Sequence, residues 1–338
     1  MNDPYTVLNS AHGLDVVGDI HGHHAVLATA LAALGYEILS GTWRHPAGRK
    51  VLFLGDLIDR GPDSRGTVNT VRAMVEAGEA VCLMGNHELN AVHFATEHPH
   101  AEGRHLRPRS DKNLRQHLSF LQEYHLDPEG AAALSDHIAW MATLPLWVDL
   151  GGLRAVHACW SPDHQARLGP HLDGTRIATE KIWQRTATPG DALMDAAEVI
   201  LKGAEIRLPA GITFADKDGH CRTHARLKWW RDADAAWADA VLGPPELLVA
   251  LNARSDLPAI AMPAKAPDLP TFFGHYWFAP EAGRPWLAGP TASCLDFSIA
   301  RPGGLLGVYR WDGEDALDAG KLIGFDCEGR GYASRNAG

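Results

Sequence analysis

Three short blocks gather the side chains best able to do chemistry: Gly18-Asp19-Ile20-His21-Gly22, Gly55-Asp56-Leu57-Ile58-Asp59-Arg60-Gly61 and Gly85-Asn86-His87-Glu88. Carboxylate, imidazole and amide oxygen together form a borderline-hard ligand set that suits Mn, Fe, Zn or Co, whereas a calcium site would use oxygens alone. Asp56 stands in the middle block, so one carboxylate can bridge a site made with Asp19 and His21 to a second made with Asn86 and later histidines. Two ions about 3.5–4 Å apart form the clamp by which phosphatases and nucleases grip the attacking and departing oxygens.

The elements that must position these groups are legible around them. Each block follows a short apolar run, at residues 14–17, 51–54 and 81–84, of the kind that forms a buried parallel strand. Helical patterns over residues 23–34 and 63–77 fill the gaps, giving strand-loop-helix repeated and then a third strand. In open α/β sheets, functional groups gather at the carboxyl ends of the strands, where Asp19, His21, Asp56, Asn86 and His87 all fall.

In this order the blocks resemble the signature of the calcineurin-like metallophosphoesterases, and more narrowly of their phosphoprotein phosphatase branch, the Ser/Thr phosphatase type with its bacterial relatives. The resemblance implies two further histidines, each after a strand. The chain offers them in Leu153-Arg154-Ala155-Val156-His157-Ala158 and Thr271-Phe272-Phe273-Gly274-His275. The ligand set it implies is Asp19, His21, Asp56, Asn86, His157 and His275, holding two divalent ions, manganese first, with Fe, Zn, Co or Mg as substitutes. Cys159 and Trp160 follow His157 where the family usually has His-Gly-Gly or His-Ala-Gly, which leaves the ligand in place and alters the pocket wall. The fold implied is α/β, two mixed β-sheets packed as a sandwich flanked by helices. Residues 1–327 are expected to form a single domain, with residues 158–270 walling the substrate and residues 328–338 a flexible tail.

With Asn86 as a ligand, the adjacent His87 points elsewhere and serves as general acid for the leaving oxygen. Asp59 would orient and charge that imidazole, as the family's equivalent does. Arg60, whose planar fork matches phosphate, would meet the charge that develops on the nonbridging oxygens. The family usually supplies a second phosphate-binding arginine after the fourth block, and Arg226 and Arg231 are the candidates; two surface arginines flanking the Trp229-Trp230 pair is the competing reading. The expected reaction is hydrolysis of phosphomonoesters by in-line attack of a metal-bound hydroxide, without a covalent phosphoenzyme.

Composition narrows the setting. A chain of 338 residues, 46% hydrophobic, can bury a large core. Its 41 Asp and Glu against 31 Lys and Arg give a formal charge of −10, which disfavours a nonspecific nucleic-acid binder. Residues 1–14 lack the features of a secretory signal, no apolar run approaches the ~20 residues of a membrane span, and the expected location is cytoplasmic. The five cysteines are scattered without a Cys-x-x-Cys pair and fit reduced thiols.

Elsewhere, residues 35–49 predict a hairpin or loop, and residues 112–125, 130–144 and 191–202 predict helices. Residues 213–226 read as turns, with an Ala/Asp/Trp helix after them ending at Leu242. Pro258, Pro263, Pro267 and Pro270 predict an irregular crossing, and Arg301-Pro302-Gly303-Gly304 a hairpin between strands at 294–300 and 305–311. His93, His98, His100 and His105 share no ligand-pair spacing and read as polar surface.

The partner expected is a phosphorylated substrate, a phosphoprotein or a small phosphoester. Phosphoserine or phosphothreonine in proteins is the first reading; a symmetrical diadenosine tetraphosphatase, or another nucleotide or phosphodiester hydrolase, is the alternative. That enzyme characteristically has Ala where this chain has Asp59, and Cys-Tyr where the first block runs into His23-His24, so both departures favour the phosphatase. An inactive binding module on the same fold would show lost ligands, and every position of the motif set is filled.

Overall fold

The computed structural model describes residues 4–9, 12–124, 128–215, 219–232 and 234–334. Two mixed sheets carry the core. In the larger, the strands run in the order Gly331–Ala333, Leu322–Phe325, Leu305–Trp311, Leu14–Val17, Lys50–Phe53 and Ala80–Cys82, with Asp296–Phe297 also paired to Leu305–Trp311. The three strands that precede the blocks are mutually parallel, while Leu305–Trp311 runs antiparallel to the first and sets Val308 opposite Val17. The smaller sheet runs Ala292–Cys294, Thr271–Phe273, Arg154–Val156 and Trp147–Asp149, the first three parallel and the last antiparallel. Phe272 of one sheet meets Tyr309 of the other with ring centroids 5.0 Å apart.

All four residues of Leu14–Val17 are buried, as is nearly all of Lys50–Phe53 and Ala80–Cys82. A parallel strand covered on both faces needs that continuous apolar character. The crossovers are the helices His24–Ala33 and Ser64–Glu76; the second starts where the Asp63 carboxylate accepts the Gly66 N–H at 2.7 Å. Together they bring the three strand ends side by side, which sets Asp19, Asp56 and Asn86 at one edge.

Beyond this frame several expectations need correction. The third block opens a helix, Asn86–Ala95, in which nine residues are buried, too many to leave an amphipathic pattern. The helix expected to end at Leu242 is the single turn Trp237–Ala240, because Val241–Leu242 is drawn into a ladder with Arg226 and Leu227. The turn-rich 213–226 segment contains the strand pair Phe214–Ala215 and Cys221–Arg222 and runs into His224–Leu227. Gly331–Ala333 pairs with Leu322–Phe325 where a loose tail was expected from 328 on; the last four residues lie outside the described ones, as does His125 at the end of one expected helix. The remaining helices, Asp111–Gln122, Pro128–Met141 and Ala192–Lys202, match their patterns, as does the hairpin of Glu37–Leu39 with Thr42–Arg44. No described helix is long and apolar enough to cross a membrane.

Candidate metal centre

The blocks are stitched together through their backbones before any side chain acts. The Ile20 and His21 N–H groups both donate to the Asp56 carbonyl, at 3.1 and 2.8 Å, and Gly22 N–H donates to Leu57 at 2.8 Å. A Cβ on Gly85 would stand 2.3 Å from the Asp56 nitrogen, and one on Gly274 would stand 2.0 Å from Asp19 Oδ1. At Gly85 the neighbour is backbone and glycine is required; at Gly274 any side chain would push the Asp19 carboxylate out of place. Glu88, wholly buried, completes the stitching by accepting the N–H groups of Asp56, Leu57 and Gly85 at 2.8–3.0 Å. Burial and then the neighbouring Asp56 charge push its carboxyl up to about 7.

Onto this base the side chains converge. One set is His21, Asp56 and His87, a second is Asp56, His157 and His275; within each, the candidate ligand atoms lie within 4.8 Å of one another, and Asp56 belongs to both. Asp56 Oδ2 stands 3.7 Å from His21 Nε2, and Oδ1 stands 3.4 Å from His157 Nε2. Asn86 Oδ1 sits between His157 Nε2 at 3.1 Å and His275 Nδ1 at 2.7 Å. Asp19 belongs to neither set but lies alongside, accepting the His275 backbone N–H at 3.1 Å.

The donor chemistry fits divalent cations. His21 Nδ1 donates to the Ile58 carbonyl at 3.0 Å and His157 Nδ1 to Leu54 at 2.7 Å, the backbone anchoring that fixes the tautomer of a metal-binding imidazole. Burial lowers His21 to about 3 and His275 well below its ordinary value, so both rings are neutral. The Nε2 atoms of His21 and His275 are buried with no hydrogen-bond partner. Asp19 is held well above the usual carboxylate range by burial and then by the nearby charges of Asp296 and Asp56. Against the pull of burial, Asp56 raises His157 to about 10. Bare imidazole nitrogens among buried carboxylates leave a charge imbalance that a cation would complete, displacing the His157 proton.

Beside the centre, His87 Nδ1 donates to Asp59 Oδ2 at 2.5 Å while Nε2 faces inward, 3.9 Å from Asp56 Oδ2 and 3.2 Å from Arg60 Nη2. The Arg60 guanidinium lies over the Trp277 indole, 3.5 Å from its centroid. Arg60, His87, Arg115, Ser119 and Trp277 line a cavity of about 550 Å³.

The two candidate arginines part company. Arg226 lies near enough for its charge, after burial, to be the next influence that depresses His275; it pairs with Glu205 at 3.9 Å and with Tyr276 lines a cavity of about 590 Å³. Arg231 is exposed, its N–H closing a turn on Lys228 at 2.9 Å, and among the described residues no hydrogen bond or ion pair ties it to the centre. His93 is not polar surface; it is buried, with Nε2 hydrogen-bonded to Thr186 Oγ1 at 3.1 Å. Three groups escaped the sequence reading. Glu88 was in a quoted block without a role. Asp296 accepts the Trp277 and Ser298 N–H groups at 2.7 and 2.9 Å, its only sequence signal an acid inside an apolar run. His117 reaches Asp59 from a helix that carries no motif.

Comparison with known proteins gives the following. A family model described as calcineurin-like phosphoesterase matches residues 14–252. An asymmetrical bis(5'-nucleosyl)-tetraphosphatase of Geobacillus sp. is 47% identical over 74 residues, 22% of this chain and 30% of that protein, so the match spans under a third of that relative's length. A symmetrical bis(5'-nucleosyl)-tetraphosphatase of Aromatoleum aromaticum is 26% identical over 286 residues, 84% of this chain and 80% of that one. Among solved structures, a protein serine/threonine phosphatase from Saccharomyces cerevisiae superposes with a TM-score of 0.49 at 14% identity, covering 99% of this chain and 88% of that one.

Proposed function

The chain belongs to the calcineurin-like phosphoesterases, and from that premise we propose that it is a metal-dependent phosphoric ester hydrolase whose centre is organised around Asp56. The observation that carries this reading is the carboxylate shared by two clusters of imidazoles, of which His21 and His275 each keep a buried Nε2 with no hydrogen-bond partner. Asp19, His21 and Asp56 would hold one divalent ion, and Asp56, Asn86, His157 and His275 the other, manganese being the first choice. When bound, such a pair supplies a nucleophile at neutral pH and Lewis acidity at the phosphoryl oxygens.

The chain's own groups do the rest. Arg60 presents its fork to the nonbridging oxygens and is steadied by the Trp277 ring. Arg226, rather than Arg231, offers the second cationic contact, because its charge stands next to burial in depressing His275. To act as the acid, His87 would carry protons on both nitrogens: Asp59 accepts the Nδ1–H bond, and Nε2, which faces Arg60 Nη2 at 3.2 Å, would give its proton to the leaving oxygen and keep the Nδ1–H on Asp59. Residues 1–327 act as one domain in this reading, supported by a buried core that runs from Val7 to Phe325.

For the substrate, the named relatives favour a bis(5'-nucleosyl) tetraphosphate, since one of them matches over 84% of this chain. Phosphoserine or phosphothreonine in proteins is the second reading, favoured by Asp59 and its short bond to His87. The test is turnover by the manganese-loaded protein of nitrophenyl phosphate, a bis-nitrophenyl phosphodiester, a phosphothreonine peptide and diadenosine tetraphosphate, with Asp56→Asn as the blank. The dinucleotide should be cleaved fastest. Faster peptide turnover would install the second reading, and no turnover of any of the four would overturn the hydrolase.

A further inference from the structure

Asp59 accepts from two imidazoles, not one. His87 Nδ1 stands 2.5 Å from Oδ2, and His117 Nδ1 stands 2.9 Å from the same oxygen and 3.2 Å from Oδ1. Asp59 is fully buried, and its backbone sits at φ 70°. We infer that His117 is a positioning residue for the proton donor: by bridging both oxygens of Asp59 it fixes the carboxylate plane, and through it the ring of His87. The inference rests on the reading of His87 as the donor.

A carboxylate held by one partner is free to turn, because the terminal torsion of an aspartate is broad and nearly two-fold. Turning would loosen the hold on the His87 ring and let Nε2 drift from the leaving oxygen, and proton delivery demands hydrogen-bond reach. A second donor spanning both oxygens removes that freedom. His117 is itself firmly placed. Its helix, Asp111–Gln122, is tied to the second block by Ser119 Oγ, which accepts the Arg60 N–H at 3.1 Å, and the following Glu123 accepts the Ser64 N–H at 2.8 Å. Packing alone does not account for an imidazole here. The ring is 1% exposed, lies edge-on to Phe94 at 5.5 Å, and leaves Nε2 buried without a partner. An unsatisfied buried nitrogen costs about 1–3 kcal/mol, a penalty that an apolar side chain would avoid; what only the imidazole provides is the Nδ1–H to Asp59.

The test compares His117→Leu, which fills the space without a donor, with His117→Asn, whose amide can place an N–H near the former Nδ1. The probes are phenyl phosphate and nitrophenyl phosphate on the full-length, manganese-loaded protein. The ratio of the two rates on one preparation does not depend on how much of it is folded. His117→Leu should lower kcat for phenyl phosphate about tenfold more than for nitrophenyl phosphate, with KM little changed, because nitrophenolate needs little protonation. His117→Asn should recover most of the loss. Equal losses on both esters, or no recovery in His117→Asn, would overturn the inference. His87→Ala on the same pair separates the two levels: if it shows no leaving-group selectivity, the donor reading itself fails. If it is selective and His117→Leu is not, the positioning role alone falls.

Discussion

Asp15 lies on the strand Leu14–Val17 and Asp19 two residues beyond it, both carboxylates almost wholly buried, and the chain treats them in opposite ways. Asp15 is answered in full. It accepts from Tyr36 Oη at 2.9 Å, from Arg49 Nε and Nη2 at 3.2 and 3.1 Å, and pairs with Arg310 Nε at 3.1 Å. Arg49 goes on to the carbonyls of Leu14 and Trp311. Asp19 receives a backbone N–H from His275, and the carboxylates of Asp296 and Asp56 press on it with like charge. A buried carboxylate kept for architecture comes with its own cations, because an unpaired buried charge is strongly destabilising. At the centre the chain supplies Asp19 and Asp56 only His157 as a cation, which Asp56 raises to about 10, beside two bare imidazole nitrogens, an arrangement that a bound divalent ion would complete.

Breaking the incomplete end should damage function and leave the fold. Asp56→Asn removes the one carboxylate common to both candidate sites, so turnover should fall at least about a thousandfold. Bound manganese, measured by elemental analysis after gel filtration and counted per folded molecule because Asp56 is also the buried partner of His157, should drop for both ions together. Retention of two full equivalents of manganese would show that Asp56 is not shared.

Breaking the complete end should do the reverse. Asp15→Ala leaves Tyr36 and Arg310 without this acceptor and Arg49 with Asp312 and two carbonyls alone, so the cost should lie at or below the roughly 3 kcal/mol at the low end for breaking a buried ion pair. That loss should appear in urea unfolding, with turnover per folded molecule unchanged. A matching fall in turnover would mean that the two ends are coupled through the strand and that the contrast between them is wrong.

The two ends also differ in how far they could be read from the sequence. The centre was legible because its groups sit in short blocks at strand ends, where a few residue types in a fixed order survive any detail of packing. The Asp15 network was not: its partners Tyr36, Arg49 and Arg310 come from two loops and a strand and share no local pattern. His117 is hidden for the same reason, being 58 residues from Asp59 on a helix whose neighbours Lys112, Asn113, Arg115 and Gln116 look like any solvated face. Gly331–Ala333 is a strand only because Leu322–Phe325 offers an open edge, a tertiary fact that three residues cannot announce. The insert was read least well, since its short helices Pro162–Leu168, Glu180–Arg185 and Pro245–Asn252 span too few turns to show a period.

A third buried group sharpens the contrast at the scale of one proton. His21 and His93 are both lowered by burial to about 3, yet His93 Nε2 has Thr186 as partner and its ring rests edge-on against Trp183 at 5.6 Å, whereas His21 Nε2 has none. His93 is therefore a finished structural histidine, and its effect should be on stability alone. Unfolded, it titrates near 6.5; folded, near 3. Between those values the unfolded state binds the extra proton, so the contribution of His93 is fully present above about pH 6.5 and is lost as pH falls toward 3. A single proton gives a slope of up to about 1.4 kcal/mol per pH unit, or about 2 kcal/mol between pH 7 and pH 5. In His93→Gln, whose amide can still reach Thr186, that share should vanish. Urea unfolding of both metal-free proteins at the two pH values would show it, since the titration of the centre is common to both and cancels. An undiminished pH dependence in His93→Gln would mean that the folded protein accepts the proton at His93 in place, and that this histidine is not sealed as its partners indicate.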